Sequence, residues 1–286
     1  MRKRLRDKLS RSLSSEQLSE VYNSFDIIGD IAIIKNNDMQ NAEIVAKQIM
    51  SNHRNIKTVL TPVTRISGDF RVRELRLLMG ENKTSTTHKE SGCTFRVDVE
   101  KCYFSPRLSH EHLRIAKLVE PGEIIVNMFA GVGCFSILIA RTQSQTTIYS
   151  IDVNPTAVQY MEENVKINKV NDIVFTVFGD AKDIIKSQLQ RVADRVLMPL
   201  PEKVLEYLPY ALLALKQTGG WINYYDFQHA VGKENPLEKT KLKVAEKLDA
   251  LGISYTFANS RIVRSTGPNW YQTVIDIQVT SLPGKF

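Results

Sequence analysis

The sequence predicts an α/β chain in two parts: a small α+β domain, then a larger domain whose parallel sheet ends in an antiparallel hairpin. Three observations carry that expectation. After residue 109, short apolar runs alternate with amphipathic helical stretches, the pattern of strands joined by crossover helices. The last two apolar runs, 254–258 and 270–279, have no helix between them, which makes them a hairpin. Between residues 22 and 103, strand-like runs surround one amphipathic helix, so that stretch forms a smaller domain of its own.

Taken in order, the chain opens on a basic stretch in which Leu5, Leu9 and Leu13 recur at helical spacing. Residues 1–21 are read either as a basic helix that docks on protein or RNA or as a frayed basic tail. The span 22–35, YNSFDIIGDIAIIK, reads as strands around a turn at Gly29-Asp30. Residues 38–50 place Ala42, Ile44, Val45, Ala46 and Ile49 on an amphipathic helix. Strands follow at 58–63, 69–79 and 93–103. The larger domain, 104–286, begins with a helix at 111–119 and a buried strand at 123–129, EIIVNMF. A glycine-containing turn and a helix at 134–141 come next. Strands at 147–152, 173–178, 195–198 and 221–226 then alternate with helices, among them 155–168, 204–216 and 237–251. Such a doubly wound arrangement binds its ligands at the C-terminal ends of the strands.

Composition narrows the function. With 286 residues, 43% of them hydrophobic, the chain can bury a sizeable core. Lys+Arg 38 against Asp+Glu 31 leaves a formal charge of +7, which favours a polyanionic partner without requiring one. Cys93, Cys102 and Cys134 form neither a disulfide framework nor a zinc signature, so a reducing, cytoplasmic compartment is expected. No apolar run approaches the roughly 20 residues of a membrane span, and the basic start lacks the apolar core of a secretory signal. His53, His88, His110, His112 and His229 show no metal-ligand spacing, so no metal is expected.

The most informative stretch, Asn127-Met-Phe-Ala-Gly-Val-Gly-Cys-Phe135, joins a strand to a helix. Gly131 and Gly133 allow a ligand to approach the backbone where a Cβ would clash, and Phe129 and Ala130 complete the candidate cradle. A dinucleotide fingerprint would need a third glycine where Ser136 stands, which disfavours a nicotinamide dehydrogenase. The next strand ends at Asp152, where an acid can accept both hydrogens of a ribose diol. The strand after that ends in Gly179-Asp180-Ala181, whose carboxylate and backbone N–H suit an adenine edge. Each acid alone could be an ordinary helix N-cap. Together, a glycine turn, a ribose acid and an adenine acid at successive strand ends point to S-adenosylmethionine.

These residues also carry a family resemblance. The motifs are Ile27-Ile-Gly-Asp-Ile-Ala32, Phe70-Arg-Val-Arg-Glu-Leu75, Tyr103-Phe-Ser-Pro-Arg-Leu108 followed by Glu111, Asn127-Met-Phe-Ala-Gly-Val-Gly133, Ile151-Asp-Val-Asn-Pro155 and Asp194-Arg-Val-Leu-Met-Pro-Leu-Pro201. In them the sequence resembles the archaeal and eukaryal tRNA guanine-37 N1-methyltransferases. The resemblance implies a class I, Rossmann-like methyltransferase domain preceded by a small tRNA-contacting domain, and a substrate base 3′ of the anticodon. Many archaeal members carry a further domain that touches the tRNA elbow. The short stretch before Ile27 leads us to expect that this domain is lacking.

Guanine N1 carries a proton, so its methylation needs a base near N1 and a cation near O6. Glu111 matches the family's general base, and it is equally placed to act as a first-turn glutamate favouring the helix dipole. Arg71 matches the family's arginine for O6. Arg73, two residues on along an expected strand, would face the same side and is not separated from it. Arg107 is read as ordering its turn or meeting RNA. Where Pro199 stands the family commonly has Asn, which offers a donor and an acceptor that Pro lacks. Pro199, near both cofactor and substrate, and Pro201, near the substrate, are thus expected to shape a less restrictive pocket. An archaeal subgroup with Pro-Leu-Pro here is similar to this sequence and also methylates C7 of 4-demethylwyosine in phenylalanine tRNA. Both activities are therefore expected, on a base swung out of the anticodon loop, by a monomer that uses no membrane.

Other residues have plainer readings. His112 either tunes Glu111 or faces solvent. Tyr224, Tyr225, Phe227 and Trp270 are expected to pack in the core in preference to stacking on a base or tRNA. Arg261, Arg264 and Lys216 meet phosphate or solvent. The competing functions are a wyosine-pathway aminocarboxypropyl transferase using the same cofactor and a non-catalytic tRNA-binding protein.

Overall fold

A computed structural model of the chain describes residues 5–10, 14–21, 24–35 and 39–283. Leu13, Tyr22 and Asp38, which the spacing placed in elements, lie outside the described residues. The chain divides into two compact units, Met1–Pro106 and Arg107–Phe286.

The first unit runs α1 (Leu5–Leu9), α2 (Ser15–Glu20), β1 (Asp26–Ile28), β2 (Ile31–Ile33), α3 (Met39–Asn52), β3 (Thr58–Pro62), β4 (Leu75–Gly80), β5 (Ser85–Glu90) and β6 (Cys93–Asp98). Strands β1 to β4 form one sheet in sequence order, with β2 and β3 parallel because α3 crosses between them. Strands β5 and β6 form a separate antiparallel hairpin. Leu9 of α1 is fully buried in one core with Ala32, Val59 and the α3 residues Val45, Ala46 and Ile49. Helix α1 thus packs on the core of this unit through Leu5 and Leu9.

The Ile27–Ala32 motif works as a joint. Gly29 turns with φ +56°, and a Cβ there would collide with Thr86 Oγ1 and the Thr87 carbonyl of β5. Beside it Asp30 accepts from Thr86 Oγ1 at 2.7 Å and from Lys83 Nζ at 2.8 Å. Burial pushes the Asp30 carboxyl up, but Lys83 and Thr86 outweigh it and leave it below the usual carboxylate range.

Three expectations need correction here. The strand expected over 69–79 begins only at Leu75. Before it the chain turns, with Arg71 N–H donating to Gly68 O at 3.1 Å and Arg71 at φ +53°. Arg71 and Arg73 therefore do not share a strand face. Strand β5 was not expected because its sequence, STTHKE, has no apolar alternation. The strand expected over 93–103 stops at Asp98, whose Oδ1 accepts from the N–H groups of Glu100 and Lys101 and turns the chain.

A short 3₁₀ turn, Pro106–Leu108, opens onto the second unit. It runs α4 (Ser109–Leu118), β7 (Ile124–Asn127), α5 (Cys134–Thr142), β8 (Thr147–Asp152), α6 (Pro155–Ile167), β9 (Val174–Phe178), α7 (Ala181–Gln188), β10 (Arg195–Met198), α8 (Val204–Ala214), β11 (Gly220–His229), α9 (Pro236–Ala250), β12 (Ser254–Gly267) and β13 (Trp270–Ser281). The seven strands lie in the order β12-β13-β11-β10-β7-β8-β9. Strands β7 to β11 are parallel to their neighbours, and β13 joins β11 and β12 antiparallel. Helices α7, α8 and α9 cover one face through Ile185, Leu208, Leu212, Val244 and Leu248. Alternation along β11 sends Tyr224 into that core and Tyr225 to the other face, against α4 and α5. Strand β12 continues well past the expected 258, to Gly267, with register shifts such as Ile262/Arg264 that break its apolar period. Among the described residues, no helix is long and apolar enough to cross a membrane.

Candidate active site

The carboxyl tips of β10, β7, β8 and β9 lie side by side in the sheet, and the cofactor candidates sit on them. After β7 the backbone passes Phe129 and Ala130 into Gly131 at φ +57° and Gly133 at φ +94°. At the tip of β8, Asp152 Oδ2 accepts the Gly131 N–H at 2.6 Å, and Oδ1 accepts the Asn154 N–H at 2.9 Å. Burial raises the Asp152 carboxyl, against the pull of those backbone donors. An ionised carboxylate has about four lone-pair sites, so capacity remains for a vicinal diol. At the tip of β9, Asp180 is the N-cap of α7, accepting Lys182 N–H at 3.0 Å, and takes the Tyr207 hydroxyl at 2.9 Å. Burial raises the Asp180 carboxyl, but Lys182 and Tyr207 bring it below its ordinary value. The plain capping role is thus realised for Asp180. Ala181 opens α7, where first-turn N–H groups have no partner within the helix. This donor and acceptor set fits an adenosyl group.

Ser136, where the third glycine would stand, is fully buried. Its hydroxyl meets Asn127 Nδ2 at 3.1 Å and Ser150 Oγ at 2.7 Å, tying α5 to β7 and β8.

Glu111 lies in the first turn of α4 and is buried. Arg114 clamps it, Nε reaching Oε2 at 3.0 Å and Nη2 reaching Oε1 at 2.7 Å, while Tyr225 donates to Oε1 at 2.7 Å. The same guanidinium bonds Asp276 of β13 at 2.5 Å. Burial lowers the pKa of Arg114, but its two carboxylate partners raise it above the ordinary arginine value. Burial and the Glu111 charge push the Tyr225 phenol well up, so it acts as a donor. Phe135, one residue after the glycine turn and its cysteine, packs on Tyr225 and edge-on to His112. The carboxylate and the glycine turn therefore share one wall. His112 is buried there and does not face solvent.

Other sequence candidates scatter. In the first unit the Arg71 guanidinium lies 4.2 Å from the centre of the Tyr103 ring, and both residues line a small cleft with Arg73 and Phe104. Arg107 is exposed on its 3₁₀ turn. Pro199 follows β10 and is partly exposed, whereas Pro201 is buried in the turn before α8. Lys216 is bound to Asp194 at 2.6 Å, at the amino-terminal end of β10, opposite the tips. Arg261 approaches Glu111 to 3.9 Å, and Arg264 bonds Gln272. Trp270 is 47% exposed beside His229, not in the core, since it opens β13 at the hairpin end, paired with Gly267. Sequence reasoning missed Arg114 and Asp276, which only tertiary contact joins to Glu111. It also missed Val153 and Phe178, exposed apolar residues adjoining the strand-end acids. No group of residues able to hold a metal occurs among the described residues.

Comparison with known proteins bears on the family. Residues 86–251 match the TRM5/TYW2 methyltransferase domain, and residues 5–84 match the TYW2 N-terminal domain. The tRNA (guanine(37)-N(1))-methyltransferase Trm5b of Pyrococcus abyssi is 38% identical over 90% of this chain and 75% of its own. The tRNA 4-demethylwyosine(37)-methyltransferase Taw21 of Saccharolobus solfataricus is 35% identical over 94% of this chain and 98% of its own. Among solved structures, aTrm5 in complex with tRNALeu superposes with a TM-score of 0.83 at 30% identity, covering 98% of this chain and 79% of that one. TYW2 of P. horikoshii in complex with MeSAdo gives 0.77 at 27%, covering 96% and 98%. From its strand-tip acids to its N-terminal unit, the chain belongs to the TRM5/TYW2 methyltransferase family.

Proposed function

We propose that the protein is an S-adenosylmethionine-dependent tRNA methyltransferase that forms 1-methylguanosine at position 37 and also methylates C7 of 4-demethylwyosine in phenylalanine tRNA. The observation that carries this reading is a buried, oriented Glu111 sharing a wall with the glycine turn that Asp152 holds. When bound, the cofactor supplies an electrophilic methyl group on a sulfonium. Asp152 holds its ribose, Asp180 and the Ala181 N–H its adenine edge, and Val153 and Phe178 its faces. Glu111 takes the proton that N1 loses, and the same carboxylate serves C7, which must also shed a proton. Arg71 is assigned to the charge on O6, with Arg73 as the alternative. Arg107 meets RNA, and Pro199 leaves the base pocket without the amide that would favour guanine alone. The protein acts as a cytoplasmic monomer on the anticodon loop. Two relatives of similar identity, one named for each methylation, support the double activity.

The test is nucleoside mass spectrometry after reaction with tRNA bearing guanosine or 4-demethylwyosine at position 37. A single methyl on each is expected, and no product from the tricyclic base would sink the second activity. A second reading, aminocarboxypropyl transfer, is favoured by the match of residues 5–84 to the TYW2 N-terminal domain. It predicts a four-carbon amino acid group on the tricyclic base, which the same spectrum separates from a methyl.

A further inference from the structure

The guanidinium of Arg114 is shared by two buried carboxylates from distant parts of the chain. Glu111 and Asp276 are 2% and 5% exposed, and Arg114 bonds both. A base clamped by a full positive charge would be a poor proton acceptor. Here Asp276 takes half of that clamp. Arg114 Nη1 and Nη2 reach Asp276 Oδ2 and Oδ1 at 2.5 Å and 3.1 Å. The three groups together carry one net negative charge, which leaves room for one proton; the further cation, Arg261, stands 3.9 Å from Glu111 but is 43% exposed, so solvent screens it.

We propose that Asp276 is a positioning and charge-balancing residue for the reaction. By holding Arg114 and offsetting its charge, it keeps Glu111 both aimed and basic enough to accept the substrate proton. This rests on the reading of Glu111 as the base. Oε1 is taken by Arg114 Nη2 and the Tyr225 hydroxyl, so Oε2, with one Arg114 contact and Arg261 at 3.9 Å, is the accepting atom. The N1–H bond of the base breaks and its proton goes to Oε2; the electron pair left on N1 forms the bond to the methyl carbon as that carbon's bond to the sulfonium breaks, its pair returning to sulfur as a neutral thioether. The proton later leaves to water.

The other polar groups around the cluster do not take over the role of Asp276. Asn223 of β11 and Asn259 of β12 donate to Asp276 at 2.6 Å and 3.4 Å and are neutral. Arg195 of β10 reaches Asn223, and Glu123 neutralises it at 2.7 Å. His112, on the same helix as Glu111, packs on Phe135. Among the described residues, Asp276 is the carboxylate that bonds the guanidinium opposite Glu111.

The experiment measures single-turnover methylation of guanosine-37 tRNA against pH for the intact protein and three variants. Asp276→Asn keeps the shape but leaves the Arg114 charge wholly on Glu111. Its acid limb should move about one unit to lower pH, and its plateau rate should fall roughly threefold or more. The double variant Arg114→Gln, Asp276→Asn removes both charges and should bring the limb back to the wild-type position or above it. A merely structural role predicts the double variant worse than the single and neither limb displaced. That result, or an unmoved limb in Asp276→Asn, would overturn the inference. If Asp276→Asn does not fold, a folded double variant whose limb lies at or above the wild-type position supports it, and one whose limb lies lower refutes it. Glu111→Gln is run alongside. If that variant keeps its rate, the base assignment itself has failed; if it loses activity while Asp276→Asn shows no shift, only the present inference falls.

Discussion

Asp152 shows how one side chain serves structure and ligand together. Its oxygens fasten Gly131 and Asn154, and the same carboxylate is assigned to the cofactor ribose. Asp152→Asn should weaken cofactor binding about ten- to a hundredfold, because a charge-assisted hydrogen bond contributes about 1.5–3 kcal/mol. Calorimetry with S-adenosylmethionine checks this, and unchanged affinity would remove Asp152 from the site. Asp30 carries a pH effect of known sign. Its carboxyl lies below its usual value in the folded chain, so its contribution is present above the unfolded value of about 3.9 and is lost as pH falls below it. Asp30→Asn should therefore cost about 1 kcal/mol near neutral pH, and the gap to wild type should close below about pH 4. Urea unfolding at several pH values reads the gap.

At the scale of elements, the β7–α5–β8 junction depends on a buried polar triad. Ser136→Gly would restore the third glycine of a dinucleotide loop but strand Asn127 Nδ2 and Ser150 Oγ without their partner. A loss of about 1–3 kcal/mol is expected, with no gain of nicotinamide binding; thermal unfolding and ligand titration report the two outcomes. Helix α1 is short, yet Leu9 is fully buried beneath it. Leu9→Ala should destabilise the N-terminal unit by about 2–5 kcal/mol, whereas a free basic tail would show no effect in denaturant unfolding. Elements such as α6 and β10 were legible in the sequence because the apolar residues of α6 repeat at helical spacing and those of β10 form a short continuous run, the mark of a strand buried on both faces. Strand β5 was not, since its polar run carries no apolar alternation and is fixed by its antiparallel pairing with β6. The turn at Arg71 was hidden for a related reason: its left-handed backbone is set by the Gly68 hydrogen bond, which residue type does not announce.

For the whole molecule, charge makes the prediction. A chain of formal charge +7 acting on tRNA should release counterions on binding, so affinity should fall steeply and log-linearly with salt. Filter binding from low to physiological salt measures the slope, and a flat line would mean that phosphate contacts contribute little. Sequence alone determined the two-part α/β plan, the glycine turn and the acids at the ends of β8 and β9, because periodicity and strand-end position are local properties of the chain. Tertiary structure alone decided which charges meet. Glu111, Arg114, Tyr225 and Asp276 come from α4, β11 and β13, and only the pairing of β11 with β13 beneath α4 brings them together. Buried polar groups must find partners wherever the fold places them, and no spacing along the chain encodes that choice.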